Sequence, residues 1–371
     1  MSKDKRVIRA GNASDGIDLK RRELGKSAAW LLLTASLGIP ASGFVFAASD
    51  DDSGETAVPP WGDSSTLVSS IGAGTVAVVS VAETVEAYTK GFGYVEHWRG
   101  QIPAEMAEFW GAPAMAGRAA AVVGPPGYQR GMIRIVELGN DFEPVDYHST
   151  LGWVALEIQV RTPDTLVDEL KGLPFVHTGG PASFIGRDGK PVYRAAQFTG
   201  PSGEPLYMTQ HMQLDQLMPV GGNNVGPLFI QTLAATPYEA TRDLYLETLG
   251  MTMRMEIDIP RKALVESMGL SKDQLYKMSA VRAPEYCSIQ VDEYPANTPR
   301  RPAAPGCFSA GVSMSTLITH NLDAVKAAFT AANVDFTEIE SNSTAPFMGS
   351  RAIFCLGHAG ERVEIVEVKT A

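Results

Sequence analysis

The sequence predicts an α+β fold in which a βαβββ module occurs four times. An internal repeat is the first reason. Tyr88, Phe92, Gly93, Ile102 and Pro103 return 157 residues later as Tyr245, Leu249, Gly250, Ile259 and Pro260, with no gap in the register. The same offset carries Gly200, Gly203 and Glu204 onto Gly357, Gly360 and Glu361. The second reason is a succession of hydrophobic periods that recurs in fixed order: an apolar strand, an amphipathic helix, then three more strands. Connectors rich in Gly and Pro at 219–227 and 295–306 supply the third, because they separate those successions.

In chain order the first element is a leader at 1–47. Lys20, Arg21 and Arg22 precede an apolar run over 27–47 that ends in small residues and turns acidic at Asp50, Asp51 and Asp52. This arrangement resembles a twin-arginine-type signal peptide, which implies export by the twin-arginine translocation machinery to the periplasm or the exterior. A run of this length also suffices for a retained membrane anchor, although Gly38, Pro40 and Gly43 weaken that helix. Cleavage would remove eight Lys/Arg and four Asp/Glu, take the net charge from −11 to −15 and leave no stable membrane span. A surface so acidic repels phosphate backbones and argues against nucleic acid as the main partner. Residues 48–70, with Pro59, Pro60 and several Ser and Asp, read as a flexible linker.

The first module is expected as strand 75–81, helix 82–93 and strands 94–102, 118–123 and 132–138, with Gly93 closing the helix as glycine commonly does. The second runs through 153–160, 163–173, a weak strand near Phe175, 192–199 and 205–210. The third takes 228–234, 237–249, 252–259, 277–282 and 287–293, and the fourth takes 309–317, 322–332, 335–339, 351–356 and 362–368. Two domains follow, 71–213 and 227–371, joined by a linker at 214–226. Helical segments at 103–111 and 260–269 are read as lids. Arg300 and Arg301 are read as a solvated loop pair. Three cysteines permit at most one bridge, with Cys287 and Cys307 the nearer pair, or else three free thiols.

The runs from Ala87 to Gly93 and from Leu244 to Gly250, and the hairpin from Gly357 to Glu364, resemble the vicinal oxygen chelate superfamily. That group holds glyoxalase I, bleomycin-resistance proteins and extradiol dioxygenases, and the resemblance covers nearly everything from residue 71 onward. It implies two half-barrel domains, each formed by two modules whose sheets curl around a concave cavity. It also implies His, Gln or Glu ligands on the first and last strands, holding a divalent metal that takes two substrate oxygens. Only Glu364 stands where the resemblance puts a metal carboxylate, with Gln290 and Asp292 as support, while Tyr207 is its equivalent in the second module. The first-strand positions are Ala73, Ala155, Ile230 and Met314, none of them a good ligand. The histidines, His97, His148, His177, His211, His320 and His358, are scattered. No cofactor is therefore expected, and a divalent metal at Glu364 and Gln290 is the alternative.

Alternation on the last strand of each module sets Ile133 and Ile135, Leu206 and Met208, Ile289 and Val291, and Val363 and Ile365 against the helices. The opposite faces then carry Arg134, Tyr207 with Thr209 and His211, Gln290 with Asp292, and Glu364. In the first domain Arg134, Glu157, Gln159, Tyr207 and His211 are expected to share one cavity. A buried carboxylate there can act as a base, and Arg or Tyr can stabilise an oxyanion. An Arg134–Glu157 ion pair in an inert domain would use the same residues. The expected function is metal-independent isomerase or lyase chemistry on a small oxygenated or aromatic molecule. A non-catalytic sequestering protein of the bleomycin-resistance type is one alternative. A metal-dependent glyoxalase-like or dioxygenase-like enzyme with atypical ligands is the other.

Overall fold

The computed structural model describes residues 65–185, 189–212 and 223–369. The leader at 1–47, most of the 48–70 linker and most of the 214–226 linker lie outside the described residues. Four modules are present in order. The first consists of β1 (Ser70–Val78), α1 (Val81–Phe92), β2 (Val95–Gln101), α2 (Ala104–Phe109), β3 (Ala119–Gly124) and β4 (Met132–Glu137). The second has β5 (Gly152–Val160), α3 (Leu166–Glu169), β6 (Val176–Ile185), β7 (Pro191–Thr199) and β8 (Pro205–His211). The third has β9 (Val225–Ala235), α4 (Tyr238–Asp243), β10 (Thr252–Pro260), α5 (Lys262–Met268), β11 (Leu275–Ala283) and β12 (Cys287–Glu293). The fourth has β13 (Gly311–Thr319), α6 (Leu322–Ala331), β14 (Thr337–Ile339), β15 (Ala352–Leu356) and β16 (Arg362–Glu367).

Local chemistry accounts for the helix ends. The Ser80 hydroxyl accepts from the Glu83 amide at 3.4 Å to start α1, and Gly93 ends it in the left-handed conformation at φ 66°. Asn321 starts α6 in the same way, accepting from the Ala324 amide at 3.0 Å. Two expectations fail locally. The helix expected over 163–173 shrinks to the single turn of α3, and the weak strand near Phe175 is the ten-residue β6. Gly179, Gly180 and Pro181 lie inside β6, where the register with β7 slips, so pairing to a neighbour overrides residues that locally disfavour a strand.

The sheets depart from the expected division into 71–213 and 227–371. One sheet has the order β14-β15-β16-β13-β1-β4-β3-β2 and the other β10-β11-β12-β9-β5-β8-β7-β6. The first module therefore pairs with the fourth, through antiparallel β1 and β13, and the second pairs with the third, through antiparallel β5 and β9. Each first strand offers the same kind of free edge, so no local pattern states which other first strand will take it. The crossovers from β4 to β5 and from β12 to β13 clasp each other: the Leu151 amide donates to the Pro299 carbonyl at 3.0 Å. Arg301 belongs to that clasp and corrects the reading of a solvated pair. It donates to the carbonyls of Trp153 at 2.5 Å and Val312 at 2.9 Å and stacks on Tyr147 at 4.7 Å.

The convex faces of both sheets share one apolar core with the helices. Ile133, Ile135, Leu206, Met208, Ile289, Val291, Val363 and Ile365 all lie in it beside Tyr88, Phe92, Tyr245 and Phe329, as the alternation predicts. The sequence repeat has a structural meaning inside this core. Tyr88 on α1 donates to Glu204 Oε1 at 2.9 Å, and 157 residues on, Tyr245 donates to Glu361 Oε1 at 3.4 Å. The other oxygen of each carboxylate accepts from the Ser202 or Ala359 amide at 2.9 Å. A Cβ on Gly200 or Gly357 would stand about 2 Å from the same carboxylate. The glycine of each hairpin thus makes room for its glutamate. These links join the first module to the second and the third to the fourth through the helices, while the sheets join first to fourth and second to third.

All three cysteines are free and buried. Cys287 sits in the shared helix-side core and Cys307 in the interior of the β1/β13 sheet, so the pair considered from sequence spacing does not meet.

Candidate functional site

The concave face of the β1/β13 half-barrel is closed by packing. Met106, Trp110 and Met115, from α2 and the turn after it, are fully buried against Ala73, Val122, Met314 and Phe354. The segment read as a lid is a plug. At its centre lie Arg134 on β4 and Glu364 on β16, 1% and 0% exposed. They occupy matching places, because Arg134 is registered beside Thr75 of β1 and Glu364 beside Thr316 of β13. The Arg134 guanidinium donates to Glu364 Oε2 at 3.0 Å, and Thr316 donates to the same oxygen at 2.6 Å. Trp110 Nε1 at 3.0 Å and Asn342 Nδ2 at 3.1 Å donate to Oε1. The guanidinium also lies over the Trp110 ring at 5.0 Å.

This centre tests the metal that the fold suggests. Both oxygens of Glu364 are taken by four donors, and a guanidinium already supplies the countercharge that a cation would bring. Gln290 lies in the other sheet, so it and Glu364 do not form one ligand set. Among the described residues no three His, Cys, Asp or Glu side chains converge in a way that could hold an ion. The donor set at Glu364 does not fit a metal.

Arg134 is consequently separated from Glu157, Tyr207 and His211, which belong to the β5/β9 half-barrel; neither the single cavity nor the Arg134–Glu157 ion pair forms. Of the remaining candidates, Glu157, Tyr207 and His211 lie on the concave side of this half-barrel, while Gln159 lines a pocket with Ser70, Tyr128, Arg130 and Glu285. Register sets Arg282 of β11, Ser288 of β12, Ile230 of β9, Glu157 of β5, Tyr207 of β8 and Gln197 of β7 in one row across the concave face. The sheet curls until its wings approach, and Tyr193 of β7 hydrogen-bonds Arg282 of β11. His211 packs edge-on against Tyr193, with ring centroids 4.5 Å apart.

Electrostatics distinguishes these groups. Glu157 is half-buried on the concave face, and burial raises its pKa to about 7 against the opposing pull of Thr209. Burial, with the nearby Arg282, pushes His211 down to about 3, so it stays neutral and cannot serve as an acid near pH 7. Tyr207 is raised by burial and by Asp292, and its hydroxyl is buried without a hydrogen-bond partner. Deeper in, Arg261 donates to Asp292 Oδ2 at 2.7 Å while Gln290 donates to Oδ1 at 3.0 Å. Arg261 Nη1 is buried and unpartnered, and its guanidinium lies over Tyr294 at 5.4 Å. Gln290 is therefore a support for Asp292. The second segment read as a lid, α5, buries Leu264 and Val265 against Tyr276 and Tyr294.

Sequence reasoning found Glu157, Tyr207 and His211 by strand parity and missed Arg261, Arg282 and Tyr193. Arg261 precedes a short helix and follows no strand period. Arg282 and Tyr193 meet only because the sheet curls.

Comparison with solved structures agrees with this architecture. Glyoxalase I from Zea mays aligns over 80% of this chain and 92% of its own, at 15% identity and a TM-score of 0.51. A single-residue variant of the same protein aligns over 81% and 94%, at 14% identity and 0.55. A proposed dioxygenase from Bacillus subtilis aligns over 82% and 86%, at 12% identity and 0.55. No family profile matches the sequence, and no curated protein matches it. The likeness is one of fold: the chain has the four-module, paired half-barrel architecture seen in glyoxalase I.

Proposed function

We propose that the chain is an exported protein that acts on a small oxygenated or aromatic molecule by metal-independent proton transfer, of isomerase or lyase type, in the β5/β9 half-barrel. The observation that carries this reading is Glu157, half-buried and held near pKa 7, directly across from Tyr207, whose hydroxyl is unpartnered. A base poised near neutrality is the form that general base catalysis favours. The Glu157 carboxylate takes a proton from carbon next to a carbonyl, and the electron pair moves onto the carbonyl oxygen. The Tyr207 O–H donates to that oxygen. Protonated Glu157 then returns the proton to a neighbouring carbon, completing an isomerisation, or to a departing group, completing an elimination. Neither Glu364, saturated by its donors, nor Asp292, paired with Arg261, is available as a metal carboxylate.

Solvent exchange tests the chemistry. Small oxygenated aromatics that raise the melting temperature are incubated with protein in deuterium oxide and followed by NMR. Deuterium incorporation next to the carbonyl, lost in Glu157→Gln and reduced in Tyr207→Phe, is the expected result. Binding without exchange would leave a sequestering protein. Export rests on the leader, and Arg21→Lys with Arg22→Lys is expected to hold the protein inside the cell.

A further inference from the structure

A pocket of about 80 Å³ lies at the seam between the half-barrels, and neither Glu157 nor Tyr207 lines it. One side comes from the β1/β13 sheet: Ser70 and Ile71 of β1, with Tyr128 and Arg130 from the turn between β3 and β4. The other comes from the β5/β9 sheet: Gln159 of β5, residues 227–229 of β9, and residues 285–287 where β11 turns into β12. Backbone contacts across the seam fix these walls. The Leu228 amide donates to the Gly131 carbonyl at 2.9 Å, the Gly131 amide donates to the Ile71 carbonyl at 3.0 Å, and the Glu285 amide donates to the Ser69 carbonyl at 2.9 Å. A Cβ on Gly131 would stand 2.5 Å from the Leu228 oxygen, so glycine permits that approach. β9 is irregular here: it pairs Ile230 with Glu157 and then Leu228 with Ile158, which leaves Phe229 as an extra residue on the pocket wall. Tyr286 is held at φ 54°, where glycine is favoured, and packs against Phe229 and Ile230.

The pocket holds an unsatisfied group. Ser70 is 1% exposed, and its hydroxyl is buried without a hydrogen-bond partner. Leaving such a hydroxyl unpaired is costly, and a polar atom of a guest would relieve it. The lining is otherwise neutral. Arg130 and Glu285, its charged residues among those described, pair with each other across the seam. Cys287 accepts from the Ile71 amide at 3.1 Å, and burial pushes its thiol up to about 12, so it carries no charge near neutrality. A charged guest would give up hydration with no free countercharge to meet it. The volume is about half that of a ~150 Å³ cavity that holds benzene, which limits a guest to roughly three to five non-hydrogen atoms.

We propose that this seam pocket binds a small neutral molecule with one hydrogen-bonding head, a short amide, ketone or alcohol. The head meets the Ser70 hydroxyl, and the hydrocarbon part lies against Ile71, Leu228 and Phe229. Because the walls come from both sheets, an occupant ties the two half-barrels together. The site is separate from the proposed reaction and does not depend on it.

NMR titration of the methyl-labelled full chain with propionamide, and with propionate and propylammonium as charged analogues of similar size, tests it. Saturable shifts of the Ile71 and Leu228 methyls are expected with propionamide, at least tenfold tighter than with either ion. Ser70→Ala should weaken propionamide binding severalfold while stability in urea is kept or raised, since it removes a hydroxyl that is unpaired in the empty pocket. Tyr286→Gly, which suits the backbone conformation at that position, should also weaken binding severalfold by opening the wall. Failure of propionamide to saturate, with water alone in the pocket, overturns the proposal. So does equal binding of either ion, a set of shifts confined to methyls remote from the seam, or indifference to both variants.

Discussion

The two half-barrels share one topology and treat their concave faces in opposite ways. In the β1/β13 half-barrel Trp110, Met106 and Phe354 fill the space, and the central charges are spent on each other, Arg134 against Glu364. In the β5/β9 half-barrel the plug from α5 is smaller, Leu264 and Val265. The matching last-strand position there is Tyr207 instead of a carboxylate, and Glu157 keeps contact with solvent. A carboxylate locked by a guanidinium and three further donors is a structural element. A carboxylate raised to about 7 with an unpartnered phenol beside it is the base of the proposed reaction. One chamber is thus closed by packing, while the other keeps polar groups that a fully packed interior would not tolerate.

The sharpest way to break this contrast is Glu364→Gln. It strands a buried guanidinium and is expected to cost about 3–5 kcal/mol in urea denaturation, while Arg134→Met combined with Glu364→Leu should restore most of that loss. A loss below 1 kcal/mol would remove the structural role assigned to the pair. Next is Glu157→Gln, expected to lower turnover by about 10²–10⁴ with stability unchanged or raised. An equal fall in stability would make the two chambers alike.

Acidity sharpens the comparison further. Burial raises Glu204 and Glu361 to about 7 in the fold, whereas an unfolded Glu titrates near 4.3. Between those values the folded chain holds more protons, so their contribution is full below about pH 4.3 and is lost as pH rises toward about 7. Unfolding free energy from urea denaturation should fall by about 2 kcal/mol for each of these carboxyls between pH 5 and pH 8, and Glu204→Gln with Glu361→Gln should remove that share of the pH dependence. The smallest effect is expected from Tyr88→Phe and Tyr245→Phe, about 1 kcal/mol each and additive because the two links are separate. Strong coupling between them would show that the halves fold as one unit around the shared helix layer.

Much of this was legible in the residues because it rests on short-range periodicity. Ile133, Leu206, Ile289 and Val363 fall on the helix side by alternation alone, and their neighbours Arg134, Tyr207, Gln290 and Glu364 fall on the concave side for the same reason. The repeat of Tyr88 and Glu204 at Tyr245 and Glu361 was visible as a spacing, but the hydrogen bond that explains it joins different modules and has no local signature. The helical segments after β2 and β10 were visible, whereas their role as plugs depends on the side chains they meet.

The sequence by itself determined the four modules, their order, and the inward and outward faces of every terminal strand, since strand and helix periods are properties of neighbouring residues. Tertiary structure alone decided which modules share a sheet, that Arg134 meets Glu364 and not Glu157, and that a curled sheet brings Tyr193 of β7 to Arg282 of β11. Those outcomes depend on which of several equivalent strand edges pair and how far a sheet bends, and both are settled by the energy of the whole packed chain.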